Sequence, residues 1–313
     1  MTIKTFGDSQ TTGYGLSGGQ GWVSLLTPQN SAHNGDQAAD LSNIILGNGG
    51  TPLTPNADDT YEIMIGTNDH RKYLSSSAKQ EHFKKFLRAS IAWLATPAKQ
   101  KSRDAGVTST GSWSNTSVNS FGSYSTTQNS TRTFTFSGNS VYVGHIIQDG
   151  AGNVGSLAEI RVDGNLVDTI TSDGKTNSMT TLNGAAWAIG AERYTGFGSG
   201  SHTLEVKVTS VSGKYFYIDF VAGSDQVSTP KFSLSNVVRQ TVAGYATVGS
   251  SDAIVAQYNT IIDDLITEFT TDGFNVVKVD NHASINPLTH LQSDGLHINA
   301  AGNIILASNF ASA

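Results

Sequence analysis

Ile3-Lys4-Thr5-Phe6-Gly7-Asp8-Ser9 is a short strand-forming run that breaks into a Gly-Asp-Ser turn. Residues 3–6 read as a strand, and the downstream segments tell which kind. Residues 36–46 place Leu41, Ile44 and Ile45 on one helical face, and Tyr61-Glu62-Ile63-Met64-Ile65 reads as the next strand. Residues 78–95 then carry Phe83, Phe86, Leu87, Ile91 and Leu94 at three- and four-residue spacings. Strands alternating with amphipathic helices build βα units and a parallel sheet. The alternation returns after Pro230, with a strand over 232–238, a helix over 252–270 striped by Ile254, Tyr258, Ile261, Leu265 and Phe269, a strand over 275–279 and a helix over 300–310.

Between these halves the period changes. From about Gly106 to Asp225 short alternating runs replace the helical pattern, among them Thr133-Phe134-Thr135-Phe136, Val141-Tyr142-Val143 and Ala158-Glu159-Ile160-Arg161-Val162. Turn signals such as Asp163-Gly164-Asn165 separate them. A period of two broken by turns predicts antiparallel strands with one buried face. The expected architecture is an α/β domain built from residues 1–105 and 226–313, interrupted by an inserted antiparallel β-sandwich over residues 106–225.

Composition narrows the function. The chain has 313 residues, 33 Gly, 6 Pro and no Cys, and its 19 basic against 25 acidic residues leave a net charge of −6. That length holds two domains. Without cysteine there is no disulfide scaffold, thiolate metal site or cysteine nucleophile. Charged residues make up 14%, well under the roughly 25% usual for soluble domains, and Ser, Thr, Asn and Gly fill the gap. Such a surface suits sugars better than phosphates. The acidic balance argues against nucleic acid and against a polybasic membrane patch, and no apolar run approaches the ~20 residues of a membrane-spanning helix. Met1 leads straight into the first strand with no signal-peptide core, which fits a cytoplasmic protein, a virion component released by lysis, or a domain of a longer chain.

Three segments share one setting. Phe6-Gly7-Asp8-Ser9 ends the first strand, Ile65-Gly66-Thr67-Asn68-Asp69 ends a later one, and Ser293-Asp294-Gly295-Leu296-His297 lies between the last strand and last helix. Ligands of open parallel sheets sit at the carboxyl ends of the strands, so all three should converge on one crevice. There Ser9 is a nucleophile awaiting a base, and His297 is the candidate base. Asp294, three residues earlier, can take the imidazole Nδ1 proton and fix the tautomer. The Asn68 amide and the backbone N–H groups of Gly35 and Ser9 can receive an oxyanion. This is equipment for acyl transfer to water, and it calls for no metal and no cofactor. Asp69 and His70 are adjacent and point apart, whereas a metal site needs three or four convergent ligands.

These blocks resemble those of the SGNH, or GDSL-type, hydrolase family. Gly7-Asp8-Ser9 matches its nucleophile block, with Gln10 where the family commonly has Leu. Gly35-Asp36-Gln37-Ala38-Ala39-Asp40 resembles the second block, Gly66-Thr67-Asn68-Asp69 the third, and Asp294-Gly295-Leu296-His297 followed by Asn299 and Gly302 the last. The resemblance implies a three-layer α/β/α fold around a flavodoxin-like parallel sheet, with Ser9, Asp294 and His297 as the catalytic triad and Ser9, Gly35 and Asn68 as the oxyanion hole. Residues 194–204 and Tyr217-Ile218-Asp219-Phe220 resemble galactose-binding-like jelly-roll modules. An esterase interrupted by such a module is similar to phage tail-spike deacetylases, which implies a virion or extracellular location and a homotrimer, although no coiled coil or β-helix is visible here.

The expected activity is therefore a serine esterase that removes O-acyl groups, acetyl foremost, from a polysaccharide. A lipase or thioesterase and a non-catalytic glycan-binding adhesin are the alternatives. Small polar residues at Thr11-Thr12-Gly13-Tyr14-Gly15 speak against the first, and an intact set of Ser9, Asn68, Asp294 and His297 against the second. Trp113, Tyr124, Trp187 and Tyr194 are candidate sugar-stacking residues of the insert, although aromatics in a sandwich more often fill the core. No substrate-binding residue can be assigned.

Overall fold

The computed structural model describes residues 2–26, 28–47, 51–115, 122–148, 155–173, 185–209, 214–225 and 230–313. Its packing divides the chain into two units, Met1–Leu41 with Asn56–Lys84 and Thr229–Ala313, and Ser42–Pro55 with Lys85–Ser228. The first is built on a parallel sheet of β1 (Ile3–Gly7), β2 (Gln29–Asn30), β3 (Thr60–Met64), β4 (Lys231–Ser235) and β5 (Val276–Val279). Its spatial order is β2-β1-β3-β4-β5, the flavodoxin-like order, in which the chain reverses direction of travel between β1 and β3. All five residues of β3 are buried, as befits a central strand covered on both faces.

Nine helices surround or connect these strands among the described residues: α1 (Ser9–Thr12), α2 (Trp22–Leu26), α3 (Ala38–Leu46), α4 (Thr67–Tyr73), α5 (Ser77–Ala95), α6 (Val242–Ala246), α7 (Asp252–Thr271), α8 (Asn281–Ser284) and α9 (Ala300–Ser312). On one face Trp22 of α2 stacks on Phe310 of α9, ring centroids 4.2 Å apart, above Met64 and Val279 of the sheet. On the other, α7 buries Val255, Tyr258, Ile262, Leu265 and Phe269, and Tyr258 meets Phe83 of α5 edge-on at 5.1 Å. The helix runs Asp252–Thr271 because Ser251 caps its start, accepting from the Ile254 N–H, and Gly273 stands past its end at φ +88°. This is the expected three-layer arrangement. The strand expected over 232–238 stops at Ser235, because the backbone beyond it is satisfied by a side chain: the Val237 N–H donates to Asn259 Oδ1 at 2.7 Å and the Val237 carbonyl accepts from Asn259 Nδ2 at 3.1 Å.

The second unit is an antiparallel sandwich. One sheet orders the strands Asn165–Thr171, Leu157–Val162, Ser201–Val208, Thr131–Ser137 and Thr108–Thr110, and the other Trp187–Thr195, Ser140–Gln148, Phe216–Gly223, Ser123–Ser125 and Ser114–Asn115. Lys99–Lys101 pairs with Phe216–Gly223 as well. Residues of both sheets, among them Phe134, Phe136, Val141, Val143, Ile160, Leu204, Val206, Phe216 and Ile218, meet in a common core. Trp113 and Tyr194 pack against that core. Tyr124 instead lies with Tyr215 and Tyr217, with ring centroids 5.0 and 5.7 Å away. Among the described residues no helix is long and apolar enough to cross a membrane.

Candidate active site

β1 delivers its last residues to the carboxyl edge of the sheet, and there the chain turns into α1. Asp8 makes the turn: its carboxylate accepts the Gln10 N–H at 2.9 Å, capping the short helix. Ser9 comes next as the first residue of that helix and is buried except for a small opening.

The loop before α9 brings the other two members. His297 Nε2 lies 3.0 Å from Ser9 Oγ, and His297 Nδ1 lies 2.6 Å from Asp294 Oδ2. The second oxygen of Asp294 accepts the backbone N–H groups of Leu296 and His297 at 2.9 and 3.0 Å. Burial acts to raise the Asp294 pKa and is the largest single influence. The hydrogen bonds from the His297 ring and the two backbone N–H groups together outweigh it and hold the group below the ordinary value. An anionic Asp294 keeps the imidazole proton on Nδ1, leaving Nε2 as an acceptor for the Ser9 hydroxyl. The structure thus brings Ser9, His297 and Asp294 into one hydrogen-bonded chain.

Gly35 and Asn68 arrive from two further segments. Asn68 is the second residue of α4, which opens directly after β3, and its Nδ2 donates to the Asp36 carbonyl at 3.0 Å. Among the described residues its second amide hydrogen has no partner. The neighbouring Gly35–Asp36 turn is linked to α1 through a short hydrogen bond of 2.5 Å from Thr12 Oγ1 to Asn34 Oδ1. Among the described residues no partner engages the backbone N–H of Ser9 or of Gly35. The three donors expected from sequence are therefore gathered around α1 with hydrogens to spare, at the point where the strand order reverses.

Two residues of this site carry roles the sequence left unread. Gln10 is buried, and its side chain bridges to the residues on either side of His297, donating from Nε2 to the Leu296 carbonyl at 3.0 Å and accepting the Ile298 N–H at Oε1 at 3.2 Å. Gln10, the one position that departs from the motif expected there, is thus an anchor for the histidine loop. Tyr14 lies over the His297 ring at a centroid distance of 4.5 Å and a tilt of 36°. Its flanking glycines were the available signal, since a Gly-Tyr-Gly turn exposes its central side chain.

Behind the site sits a row of buried carboxylates. Burial pushes Asp8 up to about 7 against the hydrogen bond from Gln10, and pushes Asp69 up to about 8 against the hydrogen bond from the Ala38 N–H. Asp36 rises to about 6, through burial first and then the charge of Asp40. Burial also drops His70 to about 3. Its Nε2 faces Gln240 Nε2 at 3.0 Å and so accepts, which leaves Nδ1–H to donate to Ser250 Oγ at 2.9 Å. His70 is therefore a neutral structural group, and Asp69 commits its oxygens to the Ala38 N–H at 3.1 and 3.3 Å. His33 pairs with Asp36 at 3.2 Å, His282 faces Asp252 at 3.3 Å, and His290 accepts the Asn286 N–H at 3.0 Å. Among the described residues no three His, Asp or Glu side chains converge as a metal site.

No family model matches the chain, and no curated protein matches it significantly. Among solved structures it is similar to a two-domain esterase active on acetylated mannans, co-crystallised with mannopentaose, at 10% identity over 74% of this chain and 91% of that one, TM-score 0.38. It is also similar to TesA, at 12% identity over 100% and 97%, TM-score 0.42. A family 36 carbohydrate-binding module in complex with calcium and xylotriose matches at 14% identity over 40% and 97%, TM-score 0.29. Likeness at these levels carries no chemistry, and the functional conclusion rests on the site.

Proposed function

We propose that this protein is a serine esterase of the SGNH type that removes O-acyl groups, acetyl in the first place, from a polysaccharide. The observation that carries the reading is the chain Ser9 Oγ, His297 Nε2, Nδ1, Asp294 Oδ2, with links of 3.0 and 2.6 Å, at the reversal point of the sheet. Ser9 attacks the acyl carbon while Nε2 takes its proton. The oxyanion meets the N–H groups of Ser9 and Gly35 and the free amide hydrogen of Asn68. The imidazolium, held by Asp294, returns the proton to the departing sugar oxygen. Water then attacks the acyl-enzyme with His297 again as base, releasing the acid and restoring Ser9.

Sugar as the alcohol side is supported by the low charge and hydroxyl-rich composition, and by a polar mouth in which His33 and Asn34 are exposed. A non-catalytic adhesin has no use for an anionic Asp294 aimed at His297, or for N–H groups at Ser9 and Gly35 that no described residue engages. The test is Ser9→Ala against wild type, assayed by acetate release from O-acetylated polysaccharides and by labelling with a fluorophosphonate. Turnover should fall by several orders of magnitude, because members of such a triad act as a unit, and the label should be lost from Ser9 with the fold retained. Wild-type turnover in the alanine variant would remove the mechanism.

A further inference from the structure

The segment after the nucleophile helix is shaped to present one side chain. Gly13 and Gly15 stand at φ +71° and +77°, backbone that side-chain-bearing residues rarely adopt. Between them Tyr14 is held from behind: its carbonyl accepts Gln292 Nε2 at 2.7 Å, and the same amide nitrogen donates to the Ile298 carbonyl at 3.1 Å. A Cβ on Gly15 would lie 2.6 Å from Gln292 Oε1, so a side chain there would have to push the Gln292 amide aside. The clamp therefore ties the Tyr14 backbone to the loop that carries His297. The Tyr14 ring covers the imidazole at 4.5 Å and yet remains 50% exposed, the only Phe, Tyr or Trp of its unit so exposed among the described residues. Its hydroxyl has no hydrogen-bond partner among them either.

An exposed aromatic face beside the base sits where the alcohol half of the ester must lie, because His297 Nε2 hands its proton to the leaving oxygen. Resting on the esterase reading above, we propose that Tyr14 is a specificity-determining residue that stacks on the ring of the departing alcohol, and that the alcohol is a pyranose. The ring's negative face attracts the slightly positive C–H face of a sugar, which a linear alcohol does not present as a plane. The leaving oxygen would then project toward Nε2 while its ring lies on Tyr14. In the step itself the Ser9 oxygen bonds to the acyl carbon, the bond from that carbon to the sugar oxygen breaks, and the proton from Ser9 passes through Nε2 to that oxygen.

The test compares two soluble acetyl esters with the same acyl group, an acetylated methyl glycopyranoside and ethyl acetate, in wild type, Tyr14→Ala and Tyr14→Phe. The readout is the ratio of kcat/KM for the sugar ester over the ethyl ester, which cancels any effect of Tyr14 on the imidazole common to both. Tyr14→Ala should lower this ratio about tenfold, while Tyr14→Phe, which keeps the face, should hold it within about twofold. An unchanged ratio in the alanine variant overturns the proposal, and a phenylalanine variant as poor as alanine overturns stacking in favour of the hydroxyl. Fluorophosphonate labelling of Ser9 in each variant reports an intact site. Failure of wild type to label or to cleave either ester would bring down the esterase reading itself, an outcome distinct from a wrong alcohol.

Discussion

Gln10 shows what a single side chain adds to the site. Its amide meets a carbonyl and an N–H two residues apart, with His297 between them. Gln10→Leu would strand both partners. An unpaired buried polar group costs about 1–3 kcal/mol, so the melting temperature should fall by a few degrees. The more telling readout is kinetic. If the anchor holds the imidazole in register with Ser9, kcat should drop roughly tenfold with KM nearly unchanged, as expected for a group used in chemistry and not in substrate binding. A normal kcat in a destabilised protein would reduce Gln10 to packing.

Among the helices and strands, α4 fixes where Asn68 points. The helix starts at Thr67, immediately after Gly66 at φ +117°, and a Cβ on Gly66 would lie 2.8 Å from Val237 Cγ2. The glycine lets β3 turn into α4 without a step, which places Asn68 beside the Asp36 carbonyl. Gly66→Ala should cost about 2 kcal/mol, the order of forcing an L side chain into this region, and should lower kcat more than that loss of stability predicts, because the strain is relieved by moving the start of α4. Thermal melts and turnover measured well below the transition check both. Activity equal to wild type after correction for folded fraction would show that Asn68 tolerates the shift.

Across the α/β unit, the buried acids add up to a pH dependence with a definite sign. Asp36, Asp8, Glu62 and Asp69 have folded pKa values of about 6, 7, 7 and 8, burial being the largest cause in each. Unfolded carboxylates titrate near 4. Between those values the folded state binds more protons, so stability present below about pH 4 is lost as pH rises through 6 to 8. His70, at about 3, acts oppositely, its contribution being present above the unfolded histidine value and lost on acidification. Four carboxylates outweigh one histidine, so the melting temperature should be higher at pH 5 than at pH 8. Asp69→Asn, which keeps an acceptor for the Ala38 N–H, should shrink that difference. A melting temperature that climbs steadily from pH 5 to 8 would contradict the assignment.

Periodicity is legible in the amino-acid chain alone. Leu41, Ile44 and Ile45 mark a helix, Tyr61 through Ile65 a strand, and Phe134 and Phe136 an alternating strand of the sandwich, since each pattern reports which face a local segment must bury. Ser9, Gly35, Asn68, Asp294 and His297 are legible as candidates too, because strand-end turns rich in glycine and polar residues are where an open sheet keeps its chemistry. Folding alone places residues 288 positions apart at 3.0 Å. Pairings across that distance leave no periodic trace. The same holds for Gln10 and Tyr14, whose partners are the backbone and ring of a loop near the other end of the chain. The early end of β4 has the same cause: a side chain from α7 satisfies the backbone where a further strand residue would otherwise pair.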